Sequence, residues 1–399
     1  MNNLLIGQSG GPTSVINASV VGSILEARLH NEIDRIYGAH YGLDGIINED
    51  LILIDDKMNV EEWMYTPGAI LGSVRFKIDE YPNDLALYER ILTIFKKYDI
   101  RYFIYIGGND SMDTSRKISD YFKKINFDCK VIGLPKTIDN DLVETHFCPG
   151  YPSAAKFVAV AIEEIYHDLI VYKEGRVTIV EIMGRDAGWL TAAAKIPSIN
   201  GVNVDLIYLP EKPFNMDDFL NKVKSIYDKK KMVLVCVSEG IVDDKKEYIL
   251  KHREFKPEDD FGHLQLGGVS LVLAEKVKKY LNLPVRAIEL NLLQRCSMHL
   301  ASKTDLKIAK KSGMYGVRMM LKGKSDFIVS INFKNNHFSF KMVPLIKVAT
   351  LVNRFPLEWI KGDSDINDDY LNYILPLIKG EIKLKYQNNL PHFTRIIEK

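Results

Sequence analysis

The chain has 399 residues, 46% of them hydrophobic and 26% charged, which is enough apolar material for a large core and argues against disordered, collagen-like and membrane-embedded classes. Lys+Arg 53 against Asp+Glu 52 leaves a formal net charge of +1, so no global field draws the chain to nucleic acid, a membrane surface or an acidic partner. Any anion it binds must be gripped locally.

The N-terminus, MNNLLIGQSGG, runs from an apolar stretch into glycines with neither a basic leader nor a cleavage site, and no later run reaches the ~20 apolar residues of a spanning helix. The expectation is a cytoplasmic protein. Short apolar runs then alternate with amphipathic stretches: LLIG before VINASVVGSILEARLH, YFIYIGGND before SMDTSRKISDYFKK, and KVIGLPKTIDND before SAAKFVAVAIEEIYHDLIVY. This alternation predicts βα units around a parallel sheet. A second series follows with RVTIVEIMGRD, VDLIYLP and KMVLVCVSEG, and a final helix and strand pair lies in AKKSGMYGVRMMLKGKSDFIVSINF. The charge-dense stretch near 241–269 reads as an insertion, and the part after Thr350 as a helical, Lys-rich tail. Cys129, Cys148, Cys236 and Cys296 stand far apart with no C-x-x-C pair, which predicts buried thiols in a reducing compartment.

In open parallel sheets, ligands gather where strands end and helices begin, because backbone N–H groups and helix dipoles there favour anions. Three such places carry chemistry. Gly10-Gly11-Pro12-Thr13 follows the first strand; it is either a phosphate-approach loop or a simple tight turn, and it is neither the dinucleotide fingerprint nor a Walker A loop. Gly107-Gly108-Asn109-Asp110-Ser111 ends another strand, where Asn109 or Asp110 is either functional or a helix N-cap. Pro135-Lys136-Thr137-Ile138-Asp139-Asn140-Asp141 sets a cation and a hydroxyl beside two carboxylates, a group that could hold a phosphoryl group, a magnesium ion and a proton acceptor together. The Lys229-Lys230-Lys231 run and the Lys310-Lys311 pair read as solvated faces, and no aromatic interleaving suggests nucleic acid. Trp189 reads as a core or lid residue.

Taken together, SGGPTSVINA, GAILGSVRFK, IGGNDSMDT, PKTIDND, EIMGRDAGWLT, the strand ending Ser238-Glu239-Gly240, and LLQR near position 295 resemble the phosphofructokinase family, in that family's order and over roughly residues 4–335. The resemblance implies two Rossmann-like parallel-sheet domains with the active site in a cleft between them, and a C-terminal helical extension. The expected division is 1–150 plus about 287–315 for the phosphoryl donor, 151–286 plus about 316–345 for the sugar phosphate, and 346–399 as the extension.

The resemblance also implies roles. Asp139 takes the proton of the sugar's C1 hydroxyl; Lys136, Asp110 and Arg185 serve the transfer. Gly11, Gly108, Arg75 and Lys77 line the diphosphate site, although the last two read equally well as a solvated edge. Thr137, Asp141, Met183, Gly184, Glu239 and Arg295 face the sugar phosphate, and Asn109 with Asp110 hold magnesium, the expected cofactor. Arg176 and Arg286 fall where the family lends arginines to a neighbouring subunit, which implies a homodimer or homotetramer with shared sites. Two segments compete for the phosphate clamp, Gly262–Gly268 with its His263 and Asn291–Arg295; the second is preferred because Arg286 precedes it and Asp305 follows, although Leu292 stands where the family has histidine.

Asp110 replaces the last glycine of the G-G-D-G that ATP-using members carry. A carboxylate there would repel the α-phosphate of a nucleoside triphosphate yet leave room for diphosphate. The implied reaction is reversible, magnesium-dependent phosphoryl transfer from diphosphate to fructose 6-phosphate. The ATP-dependent kinase and a non-catalytic subunit of the same fold are the alternatives; a nicotinamide dehydrogenase would need the fingerprint glycines.

Overall fold

The computed structural model describes residues 2–252 and 267–396. In chain order the elements are β1 (Asn3–Gln8), α1 (Ile16–Ala27), β2 (Ile36–Ala39), α2 (Leu43–Asn48), β3 (Leu51–Leu53), α3 (Leu85–Lys97), β4 (Ile100–Gly107), α4 (Asn109–Lys124) and β5 (Lys130–Pro135). Then come α5 (Tyr151–Leu169), β6 (Arg176–Ile182), α6 (Trp189–Ala192), β7 (Leu206–Tyr208), α7 (Met216–Lys230), β8 (Met232–Ser238), α8 (Val269–Leu281) and β9 (Val285–Glu289). The chain continues through α9 (Leu293–Cys296), α10 (Lys303–Leu321), β10 (Phe327–Lys334) and β11 (His337–Pro344). Among the described residues, no helix is long and apolar enough to cross a membrane.

These elements form two compact units. The first comprises Met1–Ser153, Arg295–Val352 and Lys379–Lys399. Its seven-stranded sheet has the order β11-β10-β5-β4-β1-β2-β3, parallel from β10 through β2 and antiparallel at both edges. Alternation along the central strands supplies two cores. Leu4, Ile6, Ile104, Ile106, Ile132 and Leu134 pack with α1 and α10, while Leu5, Phe103, Tyr105 and Val131 pack with Tyr88, Phe95 and Phe122 of α3 and α4. Helices α1 and α10 cross at backbone contact: a Cβ on Gly22 would run into the Lys310 carbonyl, and one on Gly313 into that of Ser19.

The second unit comprises Ala154–Gln294 and Asn353–Ile378. Its sheet, β7-β8-β6-β9, is entirely parallel. Val177, Ile179, Val233 and Val235 pack against Phe219 and Val223 of α7 and Leu273 and Val277 of α8. A separate aromatic cluster gathers Phe355, Trp359 and Tyr373 around Trp189, whose indole N–H donates to the Asn353 carbonyl at 2.9 Å, so Trp189 is a core residue.

The boundaries depart from the expected ones. Residues 316–345 join the first unit, not the second, because β10 pairs with β5 through Phe327↔Ile132 and Ile328↔Gly133. Residues 287–294 join the second, because β9 pairs with β6. The stretch 346–399 is divided: Asn353–Ile378 packs on the second unit, whereas Glu381 bridges to Ser302 in the first. Its described helix is the short Asp369–Ile374. Of the insertion near 241–269, the described part contains a turn closed by the Val242↔Tyr248 bridge; His263 lies outside the described residues.

Candidate active site

The first unit gathers its polar residues at the carboxyl ends of β1, β4 and β5. Buried Gln8 closes β1 with its amide, accepting from Leu71 N at 2.9 Å and donating to Asn17 at 2.9 Å. That pair holds the 66–74 segment beside the Gly10 loop. Gly10 takes φ +75 there, its N–H donates to the Val74 carbonyl at 3.1 Å, and its own carbonyl accepts from the Ser73 hydroxyl at 2.6 Å. Arg75 and Lys77 are thereby carried to this strand edge. A Cβ on Gly11 would lie 2.8 Å from an Arg295 terminal nitrogen, so the guanidinium rests directly on the glycine loop.

Helix α4 begins at Asn109, with Gly108 as its N-cap and no side-chain cap. Neither Asn109 nor Asp110 therefore caps the helix; both stand in its first turn. Asp110 is exposed, with Lys77 Nζ 3.8 Å away.

Lys136 is buried, and its ammonium donates to the Gly11 carbonyl at 2.7 Å, tying the end of β5 to the loop after β1. Burial pulls its pKa down to about 8, against the opposing pull of Asp139 and Asp141. Burial likewise raises the Asp141 carboxyl, partly offset by hydrogen bonds from Thr137 and Asn109. Asn109 Nδ2 donates to Asp141 Oδ2 at 3.0 Å, while Asn109 Oδ1 and Asp141 Oδ1 are buried with no hydrogen-bond partner among the described residues. Two orphaned hard oxygens on adjacent side chains suit a small divalent cation. The loop between them is internally braced: the Thr137 hydroxyl accepts from Asp139 N at 3.0 Å, and Asn140, at φ 56, accepts from Cys148 N at 2.8 Å.

In the second unit, β6 leads into Met183-Gly184-Arg185. Glu239 Oε1 accepts from both Gly184 N and Arg185 N at 3.3 Å, and buried Gln294 accepts from Met183 N at 3.2 Å. A Cβ on Gly240 would collide with the Arg185 carbonyl, which fixes the turn from the other side.

Arg176 opens the same strand and so stands roughly 23 Å from Met183 at the usual rise per residue. It packs on the Tyr172 ring with 4.7 Å to the centroid, and one terminal nitrogen is buried without a hydrogen-bond partner among the described residues. Arg286 lies opposite Thr178 on β9, at the same end of the sheet, with Asp168 at 3.3 Å.

The family profile described as phosphofructokinase matches residues 3–320. The chain belongs to the phosphofructokinase family. A pyrophosphate–fructose 6-phosphate 1-phosphotransferase of Xanthomonas campestris is 38% identical over 99% of this chain and 96% of its own length, and one of Rhodospirillum rubrum is 36% identical over 94% of each. Among solved structures, a pyrophosphate-dependent phosphofructokinase of Nitrosospira multiformis superposes with a TM-score of 0.88 at 34% identity, covering 99% of this chain and 96% of that one.

In this phosphofructokinase the residues singled out from sequence fall into three groups. Gly11, Gly108, Asn109, Lys136, Thr137, Asp139, Asp141 and Arg295 converge at one strand edge of the first unit, with Arg75, Lys77 and Asp110 toward solvent. Met183, Gly184, Arg185 and Glu239 form the turn of the second. Arg176 and Arg286 sit apart from that turn, toward the starts of β6 and β9. Leu292 is 54% exposed. Sequence reasoning passed over Gln294, although it stood inside the recognised LLQR, and gave no role to Asp305; their partners lie 111 and 152 residues away.

Proposed function

We propose that this phosphofructokinase transfers a phosphoryl group reversibly from diphosphate to the C1 hydroxyl of fructose 6-phosphate, giving fructose 1,6-bisphosphate and phosphate. The observation that carries the reading is buried Lys136, bonded to the Gly11 carbonyl and flanked by Asp139 and Asp141. The full-length relatives named for this activity support both the sugar and the donor.

Asp139 accepts the C1 hydroxyl proton as the C1 oxygen attacks the phosphorus, the bridging P–O bond breaks, and phosphate leaves. Lys136 supplies positive charge to the phosphoryl oxygens, where charge shifts as that bond breaks. The Gly11 N–H and the open first turn of α4 complement the leaving phosphate. Asp110 and Lys77 mark the outer limit of the donor site, so that a carboxylate stands where a nucleotide would continue. Arg185, Glu239 and Met183 serve the sugar.

Asn109 and Asp141 would hold magnesium by their orphaned oxygens, a hard set that fits the ion; Asp110, engaged with Lys77, is less suited to it than the sequence implied. Bound there, the ion would supply charge to phosphate oxygens. We also place Arg176 and Arg286 at a neighbouring subunit's sugar phosphate, because each lies a strand length from its own chain's Met183–Arg185 turn; arginine's planar fork suits a phosphomonoester. The buried thiols of Cys129, Cys148 and Cys236 suit a cytoplasmic enzyme, and the net charge of +1 supplies no general attraction to a membrane or nucleic acid.

Asp139→Asn tests the assignment. Its kcat for fructose 1,6-bisphosphate formation should fall by about 10² to 10⁴ with little change in sugar binding by calorimetry. Near-normal turnover would remove Asp139 from the role.

A further inference from the structure

Asp305 lies in the first turn of α10 and is fully buried, yet nothing in the chemistry above uses it. Its carboxylate accepts from Gly150 N at 3.2 and 3.1 Å, from Ser153 N at 3.1 Å and from the Ser153 hydroxyl at 2.6 Å. The Ser153 oxygen in turn accepts from Ser302 N at 3.1 Å. The bonds to Ser153 satisfy the first turn of α5, as any cap would. The bond to Gly150 reaches the residue just before that helix and so also holds the chain that leads into it.

Gly150 is the residue that forms a strand bridge with Thr137, at the start of the loop carrying Asp139 and Asp141. It adopts φ +108 and packs on Thr13, whose side chain a Cβ at Gly150 would meet at 2.6 Å. One backbone residue therefore touches both the glycine loop after β1 and the carboxylate loop after β5. Asp305 clamps that residue from α10, which is locked to α1 at the Gly22 and Gly313 crossing.

We propose that Asp305 is a positioning residue for phosphoryl transfer: through Gly150 it sets the Thr137–Asp141 loop at a fixed distance from the glycine loop that receives the donor phosphate. The proposal rests on the reading that these two loops carry the chemistry. Misplacement of such a group by about 1 Å can lower turnover about 10²-fold without removing a substrate contact. Burial pushes the Asp305 carboxyl up to about 7, so asparagine, uncharged and of the same shape, is the conservative replacement.

The test compares wild type, Asp305→Asn, Asp305→Ala, Ser153→Ala and Asp139→Asn in the diphosphate-driven reaction, with kcat and KM separated and folded protein quantified by circular dichroism. Asp305→Ala is expected to lose about 10- to 100-fold in kcat with KM for both substrates within about 3-fold, and Asp305→Asn to recover most of that loss. Ser153→Ala, which deletes only the hydroxyl, should show a smaller loss confined to kcat, and decides the matter if Asp305→Ala does not fold. Wild-type kcat in folded Asp305→Ala or, failing that, in Ser153→Ala, beside an inactive Asp139→Asn, overturns the proposal alone. So does a rise in KM at constant kcat, which would mean lost binding instead of lost positioning. Near-normal kcat in Asp139→Asn overturns it together with the reading on which it rests.

Discussion

A buried ammonium is expensive to keep charged, and Lys136 combines that expense with a position beside two carboxylates. Its pKa in the fold, about 8, lies below the ordinary 10.5, so the charged form burdens the fold below pH 8 and that burden relaxes as pH rises from about 8 to 10.5. Activity should run the opposite way, since the cation is the form proposed to stabilise the transferring phosphoryl group. In a pH profile of kcat/KM with diphosphate, the free enzyme should lose activity as pH rises through about 8, and Lys136→Arg should move that fall upward, because arginine stays charged. An unchanged alkaline limb in an active Lys136→Arg enzyme would assign it to another group. At this scale the sequence was most legible where the candidate residues are local: Lys136, Thr137, Asp139 and Asp141 sit in six consecutive residues. Asp305 and Gln294 were opaque for the converse reason, since each accepts from backbone amides more than 100 residues away.

Among the elements, α4 carries the residues proposed to select the donor. The sequence left open whether Asn109 or Asp110 merely capped this helix; Gly108 takes the cap instead, which puts both side chains in the first turn and leaves its N–H groups without a side-chain cap. Asp110→Gly removes the carboxylate paired with Lys77 while leaving the cap in place. Its KM for ATP should fall about 10-fold or more without kcat approaching that of the diphosphate reaction, as steady-state rates with each donor will report. An ATP KM equal to that of wild type would remove Asp110 from donor selection. The βα alternation predicted both parallel sheets because strands buried on two faces announce themselves as apolar runs. It placed β10 in the wrong unit because a run such as FIVSINF carries no mark of its partner, and β5 lies almost two hundred residues earlier.

At the scale of the whole molecule, the chain carries its residues on two compact units and passes four times from one to the other. Arg176 and Arg286 lie near the starts of their strands, away from the Met183–Arg185 turn, and the proposed sharing of sites between subunits would give both a role. Mixing inactive Arg176→Ala with inactive Asp139→Asn under subunit exchange should therefore restore activity, read as fructose 1,6-bisphosphate formed per mixed oligomer; no recovery would mean that sites are not shared. The most direct measurement of the central claim is a pair of initial rates on the purified wild-type protein with fructose 6-phosphate and magnesium, one with diphosphate and one with ATP. Diphosphate should give fructose 1,6-bisphosphate, with a ready reverse reaction from phosphate, at a kcat/KM about 100-fold or more above that with ATP. Turnover with ATP equal to or faster than turnover with diphosphate would contradict it.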